Sequence, residues 1–395
     1  MFYSLSASAQ QTLSLQQAIE EGLRTPAAQI ADERVDAFRG LVRQAGLRPN
    51  PRIYLQSEDL RPWDDSFSFP NSTEDYGYLG QSFELGRKRA HRVELAKANL
   101  LRTQAERDLR KRQIAGMVAA SYWAAASTQK IADLLRQDIV AVDEMVVYHK
   151  SRVDAGAMRG VDLIRMQIER DRISLALKAA ERDASLARIE LARQIGRPDA
   201  ASLQLIDDIT ALGAPLTFDL QLALAQRIDL TIASDDVQAA EADLKLQHAG
   251  AIPDIDLLAG YKRNSGFNTG YTALQLPLPF FNRNQGEIER AKAQVQIART
   301  TLAQAQIIVR TDIQAAQENY QRQLEIVRDT LPEMRHRAKQ NLEILTEAYR
   351  IGGVDLLRYI DAERTEFDVE VTALRTLTEY HQSVLRLQLA TGGQF

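Results

Sequence analysis

Small and apolar residues along the middle of the chain recur at alternating steps of three and four: Ile114, Val118, Ser121, Ala125, then Ile131, Leu135, Ile139, Val142 and Val146. That is a narrow, Ala-rich, heptad-like seam, the pattern of long helices packed side by side. Seam alanines such as Ala119, Ala125 and Ala132 are expected to face neighbouring helices, and the mid-helix aromatics Tyr122, Trp123 and Tyr320 to be packing residues. Proline avoids the stretch between Pro70 and Pro198, and only Pro332 falls between Pro279 and the C-terminus. Both stretches are rich in Ala, Leu, Arg, Glu and Gln, the strong helix formers. The pattern predicts a helix over 87–154, roughly 100 Å long at about 1.5 Å per residue, and a similar one over 286–350. A first helix is predicted from Ser14 to about Gly46, with Gln17 completing a capping box. Shorter returning helices are predicted over 162–195 and 355–389. Before each comes a Gly-Val-Asp-Leu turn, where glycine ends one helix and aspartate favours the start of the next.

Four segments break the helical pattern: 52–58, 76–85, 255–263 and 271–276. Alternation is plain in Leu79, Gln81, Phe83 and Leu85 against Tyr78, Gly80 and Ser82. It is equally plain in Ile255, Leu257, Ala259 and Tyr261 against Asp256, Leu258 and Gly260. Four strands cannot close a barrel, and an open sheet leaves edges to be paired. Strands of about 9 to 11 residues suit a membrane-spanning barrel, and Tyr76, Tyr78, Tyr261 and Tyr271 suit its interfacial girdles. A small soluble sheet with surface tyrosines fits the same pattern.

The chain is written twice. Gly160-Val161-Asp162-Leu163-Ile164-Arg165 returns as Gly353-Val354-Asp355-Leu356-Leu357-Arg358, and further echoes lie in the same order, 193 to 205 residues apart. This gives a short tail over 1–13, a first repeat over 14–205 and a second over 206–395. The strand parts lie near 52–85 and 255–276, and a belt over 197–217 carries Pro198, Gly213 and Pro215. One short helix stacked end to end on a returning helix matches the length of one long helix.

Charge is nearly balanced, 49 basic against 53 acidic residues, which gives no case for nucleic-acid binding. Cysteine is absent, removing disulfides, thiol chemistry, cysteine-ligated metal and lipidation on cysteine together. Five scattered histidines offer no metal-ligand spacing, and no apolar run reaches the roughly 18 residues of a transmembrane helix. No carboxylate pair, Ser-His arrangement or phosphate loop stands out, so no enzyme, resident metal or cofactor is expected. Ala7-Ser8-Ala9 has the small-x-small form of a signal-peptidase site and is expected to be the tail of a signal peptide, a disordered cytosolic N-terminus being the plainer alternative.

Several local motifs resemble the TolC family of outer-membrane efflux proteins: residues 15–23, the strand exit Gln81-Ser82-Phe83-Glu84-Leu85-Gly86-Arg87-Lys88-Arg89, and Tyr359-Ile360-Asp361-Ala362-Glu363-Arg364. A second strand exit, Leu276-Pro277-Leu278-Pro279-Phe280-Phe281-Asn282-Arg283-Asn284-Gln285-Gly286, is most similar to the heavy-metal-efflux branch. The resemblance covers the chain after Gln10 and implies a mainly α fold with a small β part. Three chains would close a 12-stranded barrel in the outer membrane, continuous with a long antiparallel α-helical barrel in the periplasm. It also implies a homotrimer in contact with outer-membrane lipid, a periplasmic adaptor protein, and an inner-membrane pump of the RND type. The cargo would be heavy-metal cations. Drug export and type I protein secretion use the same fold, and a soluble coiled-coil scaffold is the competing reading from another class. On this resemblance Asp162, Asp355, Arg358 and Asp361 are candidates for the periplasmic constriction. Gly156, Gly160, Val161, Leu163, Gly352, Gly353, Val354 and Leu356 are candidates for adaptor docking, amid Arg152, Arg159, Arg165 and Arg350. The plainer alternative is that the aspartates serve as helix-end charges, worth about 0.3–1 kcal/mol each.

Overall fold

A computed structural model of the chain describes residues 11–199, 203–264 and 266–393, so the Ala7-Ser8-Ala9 segment lies outside the described residues. The chain forms two compact units. One takes residues up to Ala31, Asp108–Arg227 and those from Ile308, the other Asp32–Arg107 and Ile228–Ile307.

The second unit holds a four-stranded antiparallel sheet of β2 (Arg52–Glu58), β3 (Glu74–Phe83), β5 (Ile255–Asn264) and β6 (Phe267–Gln275), in the order β2-β3-β5-β6. The β3–β5 ladder joins the two halves of the sequence, with Tyr78 opposite Gly260. Two strands begin earlier than alternation predicts, at Glu74 rather than Tyr76 and at Phe267 rather than Tyr271, because ladder hydrogen bonds continue past the apolar positions. The first inter-strand loop contains one helical turn, α3 (Phe69–Ser72).

Long helices dominate the remainder. Residues 88–154 are helical throughout as α4 (Lys88–Asp154), followed by α5 (Gly160–Ile195). Their counterparts are α8 (Gln285–Glu325), α9 (Leu331–Arg350) and α10 (Leu356–Thr391). A π turn over Ile326–Thr330 joins α8 to α9, with Leu331 N–H donating to Ile326 O. This wider turn comes just before Pro332, which lacks the N–H an ordinary helix would use.

The first helix is not continuous to Gly46 as predicted. It splits into α1 (Leu15–Gly22) and α2 (Pro26–Ala45), because Pro26 cannot continue the ladder and Thr25 Oγ1 bonds Gly22 O at 2.6 Å instead. The second half breaks at the same place, between α6 (Leu220–Ala225) and α7 (Ile228–Gly250). Each returning helix ends against one of these breaks. Gly196 and Gly392 close α5 and α10 with φ of 74°, a left-handed conformation that glycine adopts without strain. A Cβ added at Gly196 would lie 3.1 Å from Thr25 Cγ2, and one at Gly392 would lie 2.9 Å from Gln226 Cβ.

The belt segment expected over 197–217 holds a strand pairing that the sequence pattern does not show, β4 (Leu203–Leu205) lying parallel to β1 (Gln11–Leu13). The Tyr122 hydroxyl lies 2.5 Å from Asp207 Oδ2 and 2.9 Å from Leu13 O. The Tyr320 hydroxyl accepts from Leu216 N at 3.0 Å, so each long helix ties its own stretch of belt. Trp123 stacks on His381 at 3.8 Å, and His381 Nε2 donates to Ile209 O at 2.8 Å.

The seam residues Val118, Ala119, Tyr122 and Ala125 are fully buried in this core. Ala125→Leu should therefore overpack it and cost about 1–3 kcal/mol. Thermal unfolding checks this, and an unchanged midpoint would mean that the wall around Ala125 has spare volume.

Candidate functional site

Two places carry the functional geometry, the helix turns at one end of the first unit and the sheet of the second. At the turns, the glycine of Gly-Val-Asp-Leu is not the helix terminator that the echo predicts. Gly156 (φ 69°) and Gly352 (φ 76°) end α4 and α9 instead. Ala157 N donates to Arg152 O at 2.8 Å and Gly353 N to Ala348 O at 2.7 Å, the six-to-one bond of a Schellman motif. Gly160 is already the first residue of α5, and Gly353 meets its own preceding turn, with Ala348 O 3.3 Å from an added Cβ. Cβ atoms added at Gly156, Gly160 and Gly352 would enter open space.

The two aspartates of the echo do different things. Asp355 is the N-cap of α10, its Oδ1 accepting from Arg358 N at 3.0 Å. Asp162 lies inside the first turn of α5, buried, with Arg159 and Arg165 at 3.5 and 3.7 Å. Val161 is exposed, Leu163 and Val354 are half-buried, and Leu356 is buried. A groove of about 490 Å³ brings Arg165 and Glu169 of α5 together with Asp355, Arg358, Asp361 and Arg364 of α10. Three guanidinium groups and three carboxyls thus share the groove, while Asp162 is not among its lining residues.

The strongest polar contact here was not a sequence candidate. The carboxylate of Glu169 is 3% exposed yet ionised, bridged by Arg364 from α10 and by Arg172 Nε at 2.8 Å from its own helix. Burial alone would raise this carboxyl, but the two arginine hydrogen bonds outweigh it and hold it below its ordinary range. Fully buried His149 donates Nδ1–H to Met145 O at 2.7 Å and accepts from the Tyr349 hydroxyl at 2.6 Å, which links α4 to α9. Tyr349 stacks on Tyr359 of α10 at 5.3 Å, and burial, together with the charge of Asp162, pushes its phenol up to about 12. Of these residues only Tyr359 and Arg364 fell within a recognised motif. Glu169 could have been noticed as lying two helical turns beyond Asp162, on the same face.

The register divides the sheet into two unlike faces. One carries the rows Ile53–Leu79–Ala259–Thr272, Leu55–Gly77–Tyr261–Gly270 and Gln81–Leu257–Leu274. Its large apolar side chains are exposed within the chain, Leu55 by 78% and Leu274 by 68%. The Asp75–Arg263 ion pair bounds this apolar band at the hairpin end. The opposite face carries Tyr54–Tyr78–Gly260–Tyr271, Gln56–Tyr76–Lys262–Thr269 and Ser82–Asp256–Gln275. Tyr78 meets Tyr54 at 4.8 Å and reaches across the glycine to Tyr271 at 5.2 Å. No helix among the described residues is long and apolar enough to cross a membrane.

The fold is thus long helices in both halves of the sequence with a two-faced, open four-stranded sheet. The sequence matches the family described as "Outer membrane efflux protein" over residues 15–197 and again over 220–393, and the chain belongs to that family. It is similar to the cobalt-zinc-cadmium resistance protein CzcC of Cupriavidus metallidurans, 24% identical over 371 residues, covering 92% of this chain and 85% of the relative. It is also similar to the nickel and cobalt resistance protein CnrC of the same organism, 26% identical over 70% of this chain and 65% of the relative. Among solved structures, CusC superposes with a TM-score of 0.81 at 18% identity, over 96% of this chain and 92% of that one. The outer membrane protein VceC of Vibrio cholerae gives a TM-score of 0.76 at 22% identity, over 96% of both chains. These structural likenesses establish the fold.

Proposed function

We propose that three copies of this chain close a 12-stranded barrel in the outer membrane and act as the passive exit duct of a tripartite efflux system. The two-faced sheet carries the reading. A soluble scaffold has no use for an exposed apolar band on one face, whereas a barrel places that band on lipid and the tyrosine and lysine face on the lumen. Among the described residues β2 and β6 each have one unpaired edge, and joining three sheets edge to edge leaves none exposed. In this reading the helices extend into the periplasm, and the helix turns near Gly156 and Gly352 meet an adaptor protein. An inner-membrane pump of the RND type supplies the energy. Asp355, Arg358 and Asp361, with Asp162 behind them, form the constriction, where threefold symmetry turns each charge into a ring. The resistance proteins CzcC and CnrC are named for cobalt, zinc, cadmium and nickel, which makes divalent heavy-metal cations the favoured cargo.

Protein extracted in detergent should have three times the 44.3 kDa mass of one chain after correction for bound detergent. A monodisperse monomer that stays soluble without detergent would remove the barrel and the duct together.

A further inference from the structure

The strand exit after β6 carries a dense run of exposed large apolar side chains. Beyond Leu274, the even-numbered Leu276 and Leu278 remain exposed, and Phe280 and Phe281 are 68% and 94% exposed. This is not a slack loop. Phe280 N donates to Leu278 O at 2.9 Å, a tight turn centred on Pro279. Arg283 Nε donates to Pro279 O at 3.1 Å, and Gln285 Nε2 to Phe281 O at 3.0 Å. Asn284 Nδ2 donates to Gln247 O at 2.8 Å and ties the turn to α7. The hydrogen bonds therefore fix a backbone that holds two phenyl rings outward, a costly arrangement in water.

We infer that Phe280 and Phe281, with Leu278, form a membrane anchor that enters the periplasm-facing leaflet of the outer membrane, with Arg283 at the phosphate level. The inference rests on the barrel reading above. Its occupant is phospholipid for two reasons. The leucine column runs on without interruption from Leu274 on the apolar face of the sheet, so the turn prolongs a surface already assigned to lipid. Arg283 is exposed two residues after Phe281, and an aromatic group followed closely by a cation suits a headgroup boundary. The turn also lies between the last strand and the first turn of α8, where the chain leaves the bilayer.

The chain contains no cysteine, so single labels are clean. Full-length Phe281→Cys and Leu274→Cys, each carrying a nitroxide, would be reconstituted into vesicles of phosphatidylethanolamine and phosphatidylglycerol. Collision rates with oxygen and with a water-soluble nickel complex then report depth. The expected result is that both labels favour oxygen and that the label at 281 lies shallower than the one at 274, near the headgroups. If 274 reads lipid while 281 favours the nickel complex, the anchor is wrong and the barrel stands. If 281 is shielded from both reagents, protein covers the rings, a second copy for example, and the anchor is again wrong. If both labels favour the nickel complex, the barrel reading fails as well.

Discussion

Arg364→Ala should cost the folded protein about 3 kcal/mol, whereas Glu169→Leu should cost markedly less. The two substitutions remove the same ion pair, but they leave different groups behind. Without Arg364, the Glu169 carboxylate remains almost wholly buried with only Arg172 to neutralise it. Stripping one partner from a buried pair typically costs about 3–5 kcal/mol, because the remaining charge is uncompensated. The residual Arg172 contact places the expectation at the low end. Without Glu169, the remaining guanidinium groups are 47% and 51% exposed and can turn to water, while leucine fills the vacated space. Arg364 also lies one turn beyond Asp361 and ties α10 to α5 across the groove proposed as the constriction. Arg364→Ala should therefore raise the open-state current in a planar bilayer as well as lower the unfolding midpoint. Equal losses in the two variants would mean that Glu169 is not buried as an ion in the assembled protein, and an unchanged current would separate the pair from the constriction.

The helices were legible because their signals are local and redundant. Proline avoidance and an Ala-rich seam over some 60 residues place α4 within one residue of its observed start, and α5 ends at Ile195 as expected. The alternation in Leu257, Ala259 and Tyr261 likewise gives β5. What escaped has other physical causes. Pro26 was read through, although its missing N–H splits the first helix. The strands β1 and β4 have three residues each, too few for alternation to register. The aspartates of the repeated hexapeptide looked equivalent, yet their helices start at different points, so one caps and the other pairs with arginine. The Glu169–Arg364 contact joins residues 195 apart, and no spacing rule reaches across a fold. His149 and Tyr349, 200 apart, were hidden for the same reason.

As pH rises from about 4.5 to about 7 the Glu363 carboxyl should withdraw stability from the protein, and Glu363→Gln should remove that share of the slope. Glu363 sits on α10 with its Oε2 buried and without a hydrogen-bond partner. Burial pushes its carboxyl up to about 7, and the nearby charges of Asp138 and Glu169 add to the effect. Burial likewise raises Asp138 on α4 to about 6. Both groups have folded values above their ordinary ones, so the folded chain binds protons that the unfolded chain has already released. The stabilisation is complete below the ordinary carboxylate range and is lost as pH rises through about 6 to 7. For Glu363, the rise from 4.5 to about 7 is worth at most about 3 kcal/mol, less whatever solvent screening removes. His381 acts in the opposite direction. Burial lowers it from 6.5, so its contribution is lost as pH falls below that value. The difference between wild type and Glu363→Gln cancels the histidine, because both proteins retain it. Glutamine keeps the shape of the neutral acid and cannot ionise, so the variant should unfold at a higher temperature than wild type at about pH 8, a gap that narrows as pH falls and closes only below the ordinary value of 4.5. Parallel unfolding curves for the two proteins across this range would show that Glu363 is solvated in the assembled protein.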